Sequence, residues 1–242
     1  LYWNQHFTQK LQDFPDVVDT TINPALEGQH QENYDERLIT AWKEGQTGYP
    51  LVDASMRALT GTGFLNFRMR AMVASFFCHI LRQYWKIGAD FMHYHLIDAD
   101  TAINYEQWQM QGGLVGVHPL RIYNPTKQVF DNDQEGKFIR EYVPELSAIK
   151  ELAYLAEPTR FADEIKEQYG ISIGKDYPEV IVDFKLASRK TKEEFKALKP
   201  SIQEAMRTGE FQRRASLSKR RLNPRKKRKA RTSESQRRLD EF

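Results

Sequence analysis

From Asp35 to Leu198 the apolar positions recur at helical spacing, and no convincing period-two run or Asn-Gly hairpin turn interrupts them. The stretch "DERLITAWKEG" closes on Gly45, and "YPLVDASMRALTGTG" begins with Pro50 at a first-turn position and ends at Gly61. The longest predicted helix is "NFRMRAMVASFFCHILRQYWK". Its Phe67, Ala71, Ala74, Cys78, Leu81 and Trp85 fall on one line at steps of four and three, flanked by Arg70 and Phe77. Such a helix is expected to be largely buried. A short helix is expected from Asp98 to Trp108, then a glycine- and proline-marked loop from Gly112 to Pro125. Further helices are expected around Gly136 to Tyr142, Thr159 to Tyr169 and Val180 to Leu198. There is no internal repeat, and the fold class is all-α.

Composition narrows this picture. At 242 residues and 40% hydrophobic, the chain can bury one substantial core. One domain over residues 1–200 and a tail over 201–242 are expected. The single cysteine, Cys78, excludes a disulfide framework and leaves too few thiolates for an iron–sulfur cluster or a cysteine-based zinc site. A reducing compartment, the cytoplasm, fits. No apolar run approaches the length needed to cross a bilayer, and "LYWNQHF" reads neither as a signal peptide nor as a natural start, so the sequence is expected to be cut before Leu1.

The net charge of +3 conceals an asymmetry. Between Ser201 and Phe242 there are fourteen Lys and Arg against five Asp and Glu, a surplus of nine, which leaves −6 for residues 1–200. The segment "KRRLNPRKKRKAR" is polar and self-repelling, so the tail is expected to be disordered until it meets a polyanion such as the phosphate backbone of DNA. Nucleoid or nuclear association would follow. A solvated tail is the plainer reading, and "RRASLS" within it has the look of a kinase site.

Candidate chemistry concentrates in "DADTAINYEQWQM", Asp98 to Met110, where two carboxylates, an amide and an indole follow the apolar "FMHYHLI". Arg70, on the margin of an apolar helix face, cannot shed its proton and needs a carboxylate or phosphate. Asp98 and Asp100 are the nearest unexplained acids. Either they form a structural bridge between two helices, or the same groups line a pocket for a polar, ring-shaped ligand. His93 and His95 alternate with aromatics and read as packing, and no metal site is expected.

Five motifs in succession, "AWKEGQTGYPLVDASMRAL", "FRMRAMVASF", "DADTAINYEQWQM", "RIYNPTKQ" and "EGKFIREYVPEL", resemble the helical FAD-binding domain of the DNA photolyase and cryptochrome family, in order from about Leu1 to Leu198. The resemblance implies FAD as cofactor, with Arg70 and Asp98 as the charged pair beside the flavin, Asp100 close to ring and ribose, and Asn104 facing flavin N5. It also implies that Trp85 and Trp108 carry electrons to the flavin. Glu32 stands where many relatives have a third, surface tryptophan, a place that Tyr34 or Tyr84 could fill. In the pocket for a flipped pyrimidine dimer, Trp3 matches one of the family's tryptophans and Arg68 its basic residue. Phe67, Ala71 and Met110 depart from the usual asparagine, methionine and tryptophan. Phe67 and Ala71, one helical turn apart, are expected to face one reshaped, more apolar cavity. They also replace the histidine pair of (6–4) photolyases, so that proton-transfer chemistry is disfavoured.

The expected function is light-driven repair of pyrimidine dimers in DNA by electron transfer from reduced FAD. A cryptochrome-like blue-light photoreceptor and a non-catalytic DNA-binding flavoprotein remnant are the alternatives. The antenna domain and the phosphate-cradling segment of the flavin site precede the matched region. No antenna chromophore site, and weak FAD retention by residues 1–242 alone, are therefore expected.

Overall fold

A computed structural model describes residues 2–117 and 120–215. The described residues contain twelve α-helices: α1 (Tyr2–Asp13), α2 (Glu36–Glu44), α3 (Pro50–Thr62), α4 (Phe67–Ser75), α5 (Trp85–His95), α6 (Thr101–Gln111), α7 (Pro125–Asn132), α8 (Lys137–Tyr142), α9 (Leu152–Ala156), α10 (Ala162–Tyr169), α11 (Phe184–Arg207) and α12 (Gly209–Ala215). No strand occurs among the described residues, only an isolated bridge between Ile173 and Tyr177. The all-α expectation therefore holds for them. None of the described helices is long and apolar enough to cross a membrane.

Short polar side chains start the helices. Asp35, Asn66, Asp100, Asn124 and Asp183 each accept a hydrogen bond from a backbone N–H three residues on, and Pro50 and Pro125 open α3 and α7 where an N–H is dispensable. Gly45 ends α2 at φ +64°, and any side chain there would strike the Asp53 carbonyl.

At the centre, α3 is buried on almost every side, with Val52, Ala54, Met56 and Leu59 fully enclosed by α2, α4, α7 and α8. Asp53 in that helix is buried and accepts from Thr47 N at 2.8 Å, Gly48 N at 3.1 Å and the Tyr177 hydroxyl, which ties the α2–α3 turn to the distant 170s. Burial pushes its carboxyl up to about 6 against the pull of those donors.

The single long helix expected from Asn66 to Lys86 is two helices. After Ser75 the chain widens into a π-helical turn, Phe76–Ile80, with Leu81 N bonded back to Phe76 O at 3.0 Å. Arg82 then adopts φ +54° and sends its guanidinium to Glu194 on α11 at 2.9 Å. The chain turns, and Trp85 begins a new helix. No proline or glycine lies between Phe67 and Gly88, so the break comes from tertiary contacts.

The domain boundary expected at residue 200 also moves. The helix α11 passes through Pro200 to Arg207, and α12 packs Phe211 against Val17 and Ile22. Buried Ile202 and Phe211 hold residues 201–215 to the body even though Pro200 removes one N–H. The basic segment 219–231, and the second half of "RRASLS", lie outside the described residues.

Helix α1 docks on α6, where buried Lys10 lies beside buried Glu106 and donates to the Arg214 carbonyl of α12. Burial pushes Glu106 up to about 7, and the nearby Lys10 ammonium opposes that shift.

His79, in the π turn, is buried and donates from Nε2 to the Gln111 carbonyl at 2.9 Å, and burial pushes its pKa down to about 4. A folded-state pKa below the ordinary 6.5 contributes stability that is present above pH 6.5 and lost as pH falls toward 4. The unfolding free energy should therefore drop across that window with a contribution of about 1.4 kcal/mol per pH unit from this one group. Urea titrations at a series of pH values should show a shallower drop in His79→Gln.

Candidate functional site

The α5–α6 pair and α4 enclose a cavity of about 690 Å³, with α1 closing one side. Its apolar wall comes from Ala71 and Ala74 of α4, Met92 and Leu96 from α5 and its C-terminus, and Ile103 and Trp108 of α6. All of these except Ile103 are buried, which is what an apolar ring system requires of its binding wall.

The polar groups are set by the same elements. Arg70 projects from α4, and its Nη2 lies 2.9 Å from both oxygens of Asp98 in the α5–α6 turn. Its Nε donates to the Leu65 carbonyl, and its guanidinium lies 5.7 Å over the Phe64 ring. The carboxylate is half exposed, so the pair is not a closed structural bridge but one rim of the cavity. Asp100 caps α6 through Ile103 N at 2.9 Å, using one oxygen. Asn104, one turn further and buried, donates from Nδ2 to the Ala89 carbonyl of α5 at 2.9 Å. That bond leaves its amide oxygen as the acceptor available on the cavity wall.

Of the residues singled out in the sequence, Arg70, Asp98, Asp100 and Asn104 line this one cavity, together with Trp3, Phe67, Ala71, Met110 and Trp108. Two do not. Arg68 is exposed on α4 away from the lining, because it is adjacent to Phe67 and therefore about 100° around the helix. Trp85 is buried in the core, with ring centroids 6.2 Å from Tyr84 and 6.4 Å from Tyr105. Tyr84 is thus the ring beside Trp85, while Tyr34 and Glu32 are exposed. Trp108 packs instead on Trp42 at 6.0 Å and Phe77 at 5.8 Å.

Several lining residues carried no distinctive sequence signal. Arg121 brings a second guanidinium to the lining from the loop before α7, and Asn4, Asn66, Gln107 and Gln111 add amides. Gly88 is the least conspicuous. A Cβ there would lie 2.3 Å from Trp108 Cη2, so the indole can pack on α5 only where the side chain is absent. His93 packs on Tyr105, and His95 bonds the Phe91 carbonyl, as expected of packing residues.

At the mouth stand exposed aromatics: Trp3 is 70% and Phe67 62% exposed, with Phe64 beside them. Trp3 is held in a stacked arrangement 6.0 Å from Phe7, which is itself buried.

Residues 1–197 match the family described as the FAD binding domain of DNA photolyase. The chain is 36% identical over 186 residues to a deoxyribodipyrimidine photo-lyase of Alkalihalophilus pseudofirmus, covering 75% of this chain and 38% of that protein. It is 40% identical over 138 residues to a chloroplastic/mitochondrial cryptochrome DASH of Ostreococcus tauri, covering 57% of this chain and 25% of that one. Among solved structures, a bacterial class III photolyase from Agrobacterium tumefaciens superposes with a TM-score of 0.74 at 31% identity, covering 82% of this chain and 41% of that chain. An archaeal photolyase from Sulfolobus tokodaii, solved with two FAD molecules, gives 0.72 at 32% identity over 81% of this chain and 43% of that one. The chain thus spans less than half the length of these relatives. The match over residues 1–197, the agreement in helical fold and the identities above 30% lead to one conclusion: the chain belongs to the FAD-binding domain family of DNA photolyases.

Proposed function

We propose that the protein uses light and bound FAD to split pyrimidine dimers in DNA. The observation that carries this reading is the joining of two features in one cavity: a wall bearing Asn104 and the Arg70–Asp98 pair, and a mouth bearing the exposed rings of Trp3 and Phe67. The residues present fit the cofactor of the family. A volume of about 690 Å³ lies within the usual range for cofactor sites, about 300–1,000 Å³. The buried apolar wall suits a planar ring, and the Asn104 oxygen is a lone acceptor set into that wall.

When bound, FAD supplies light absorption and one-electron transfer. The chain's own groups do the rest. Arg70, already aimed by Leu65 and Asp98, presents fixed positive charge at the rim, where it offsets negative charge on a reduced ring. Asn104 offers its oxygen to a ring N–H, which favours the protonated reduced form. Trp108 on the wall and Trp85 in the core are the side chains assigned to supply electrons. Trp3 and Phe67 give flat apolar faces on which extrahelical bases can stack, worth about 1–3 kcal/mol per base. Arg121 places a cation on the same lining.

A second reading rests on Phe67, Ala71 and Met110. These make the substrate side of the cavity more apolar and supply no hydrogen-bond donor for a pyrimidine edge, which suits a cryptochrome-like photoreceptor that breaks no bond in DNA. The two readings separate in one assay: the full-length protein is reduced and illuminated with blue light, and dimer loss is followed in an ultraviolet-damaged oligonucleotide. Light-dependent loss is expected. Intact dimers with flavin bound and reduced would transfer the assignment to the photoreceptor.

Asp98→Asn removes the charge partner of Arg70. The pair is half exposed, so the cost to folding should be about 1 kcal/mol or less. Flavin affinity of the full-length protein should fall by about tenfold or more, since covering an unpaired guanidinium costs at least one hydrogen-bonded charge. Fluorescence titration measures it, and unchanged affinity would remove the pair from the flavin site.

The basic tail is proposed to contact the DNA backbone. Because residues 201–215 belong to the body, deletion should start at residue 216. The slope of log affinity against log salt should then shrink by about 0.9 for each phosphate that the tail neutralises, with lesion preference unchanged. An unaltered slope would exclude the tail from binding.

A further inference from the structure

Outside the large cavity, a second enclosure of about 10 Å³ lies among Gln29, His30, His79, Gln83, Trp85 and Phe195. Four buried atoms of these side chains have no hydrogen-bond partner: Gln29 Oε1, His30 Nε2, His79 Nδ1 and Trp85 Nε1. Burying such atoms without a partner is costly, and their four residues line one enclosure, which points to a shared partner.

Their donor and acceptor roles follow from the bonds their other atoms make. His79 Nε2 lies 2.9 Å from the Gln111 carbonyl, which can only accept, so Nε2 carries the hydrogen and Nδ1 is a bare acceptor. The Asn33 amide nitrogen, 3.1 Å from His30 Nδ1, can only donate, so the hydrogen of His30 sits on Nε2. Gln29 gives an Nε2 hydrogen to Glu194 at 3.4 Å and keeps its oxygen as acceptor. The Trp85 indole N–H can only donate. Two donors and two acceptors therefore surround the space. An anion would meet bare lone pairs there and a cation would meet N–H groups, whereas a water molecule offers two of each. The volume is close to the roughly 10–15 Å³ that one water needs.

We propose that Gln29, His30, His79 and Trp85 enclose one ordered water, and that this water is the outlet for the Trp85 indole proton when Trp85 gives an electron to photo-excited flavin. The second half rests on the electron-supplying role proposed above for Trp85. In the step, the indole loses one electron to the flavin, and its Nε1–H bond breaks. The water takes that proton and passes one of its own to His79 Nδ1, whose lone pair forms the new N–H bond. The products on the protein are a neutral indolyl radical and an imidazolium, and the His79 bond to Gln111 is untouched. Burial keeps His79 unprotonated at neutral pH and holds the transferred proton weakly, so it can return when the indole regains its electron. Glu194, already paired with Arg82, holds Gln29 through its amide and lies 3.8 Å from His30 Nε2.

Two measurements test this. In the full-length protein labelled with ¹⁵N-tryptophan, the Trp85 indole N–H, assigned through Trp85→Phe, should receive magnetisation from a long-lived water. No such transfer overturns the water site. In flash photolysis of the flavin-loaded protein, the indole radical cation should convert to the neutral radical. That conversion should slow by about tenfold in His79→Phe and in the milder Gln29→Met, the equivalent of about 1.4 kcal/mol. Equal conversion rates in wild type and both variants overturn the relay. A radical signal unaffected by Trp85→Phe overturns the electron-supplying role and the relay with it, while the magnetisation transfer decides the water site independently.

Discussion

At Gly88 the space a side chain would fill is taken by the Trp108 indole, which could come no closer if even a methyl group were present. This close approach fixes the separation of α5 and α6, and the cavity is built on that separation. One residue along from Gly88, the Ala89 carbonyl receives the Asn104 amide, so the group proposed to face the flavin is positioned by the same crossing. The turn joining the two helices delivers Asp98 and Asp100 to the rim. Trp42 and Phe77 buttress the indole from behind, and both are fully enclosed. Close packing orients the site here, because cores have few arrangements of equal density.

The cavity divides into two chemistries. Its buried wall is apolar and interrupted by one amide oxygen, while its rim is charged and aromatic. Under the proposed function, a cofactor ring would gain from the first and an extrahelical base from the second, so one opening would serve an electron donor and its acceptor together. Helix α1 supplies part of the rim; it packs on α6 and is anchored to α12 through Lys10, a long buried side chain that donates to the Arg214 carbonyl and feels the charge of Glu106. The aromatic mouth is thus tied to the same helix that carries Asn104.

Behind that helix pair, the π turn at Phe76–Ile80 has a distinct consequence. It rotates His79 inward and lets the chain reverse, so that Trp85 and His79 border one enclosure together with residues from the 29–30 loop and α11. Local widening of a helix is a common way to place a functional side chain where regular geometry cannot. Gln111, whose carbonyl His79 holds, also lines the large cavity, which links the two enclosures through a single hydrogen bond.

The helical class and the starts of α2, α3, α4 and α8 were legible in the residues themselves, and the shared cavity of residues as distant as Trp3, Arg70 and Asn104 was legible through the family resemblance of the motifs. Capping side chains and apolar spacing act locally, and motifs in order mark a shared fold. The break after Phe76 was not legible, since no proline or glycine warns of a turn and Arg82 is drawn out by Glu194 from across the fold. Nor was the passage of α11 beyond Pro200, which depends on burial of Ile202 and Phe211 against residues far away in the chain. Arg68 and Arg70 illustrate the difference most simply. Both are arginines on one helix two residues apart, but only the face that α4 turns toward α6 makes one of them part of the site.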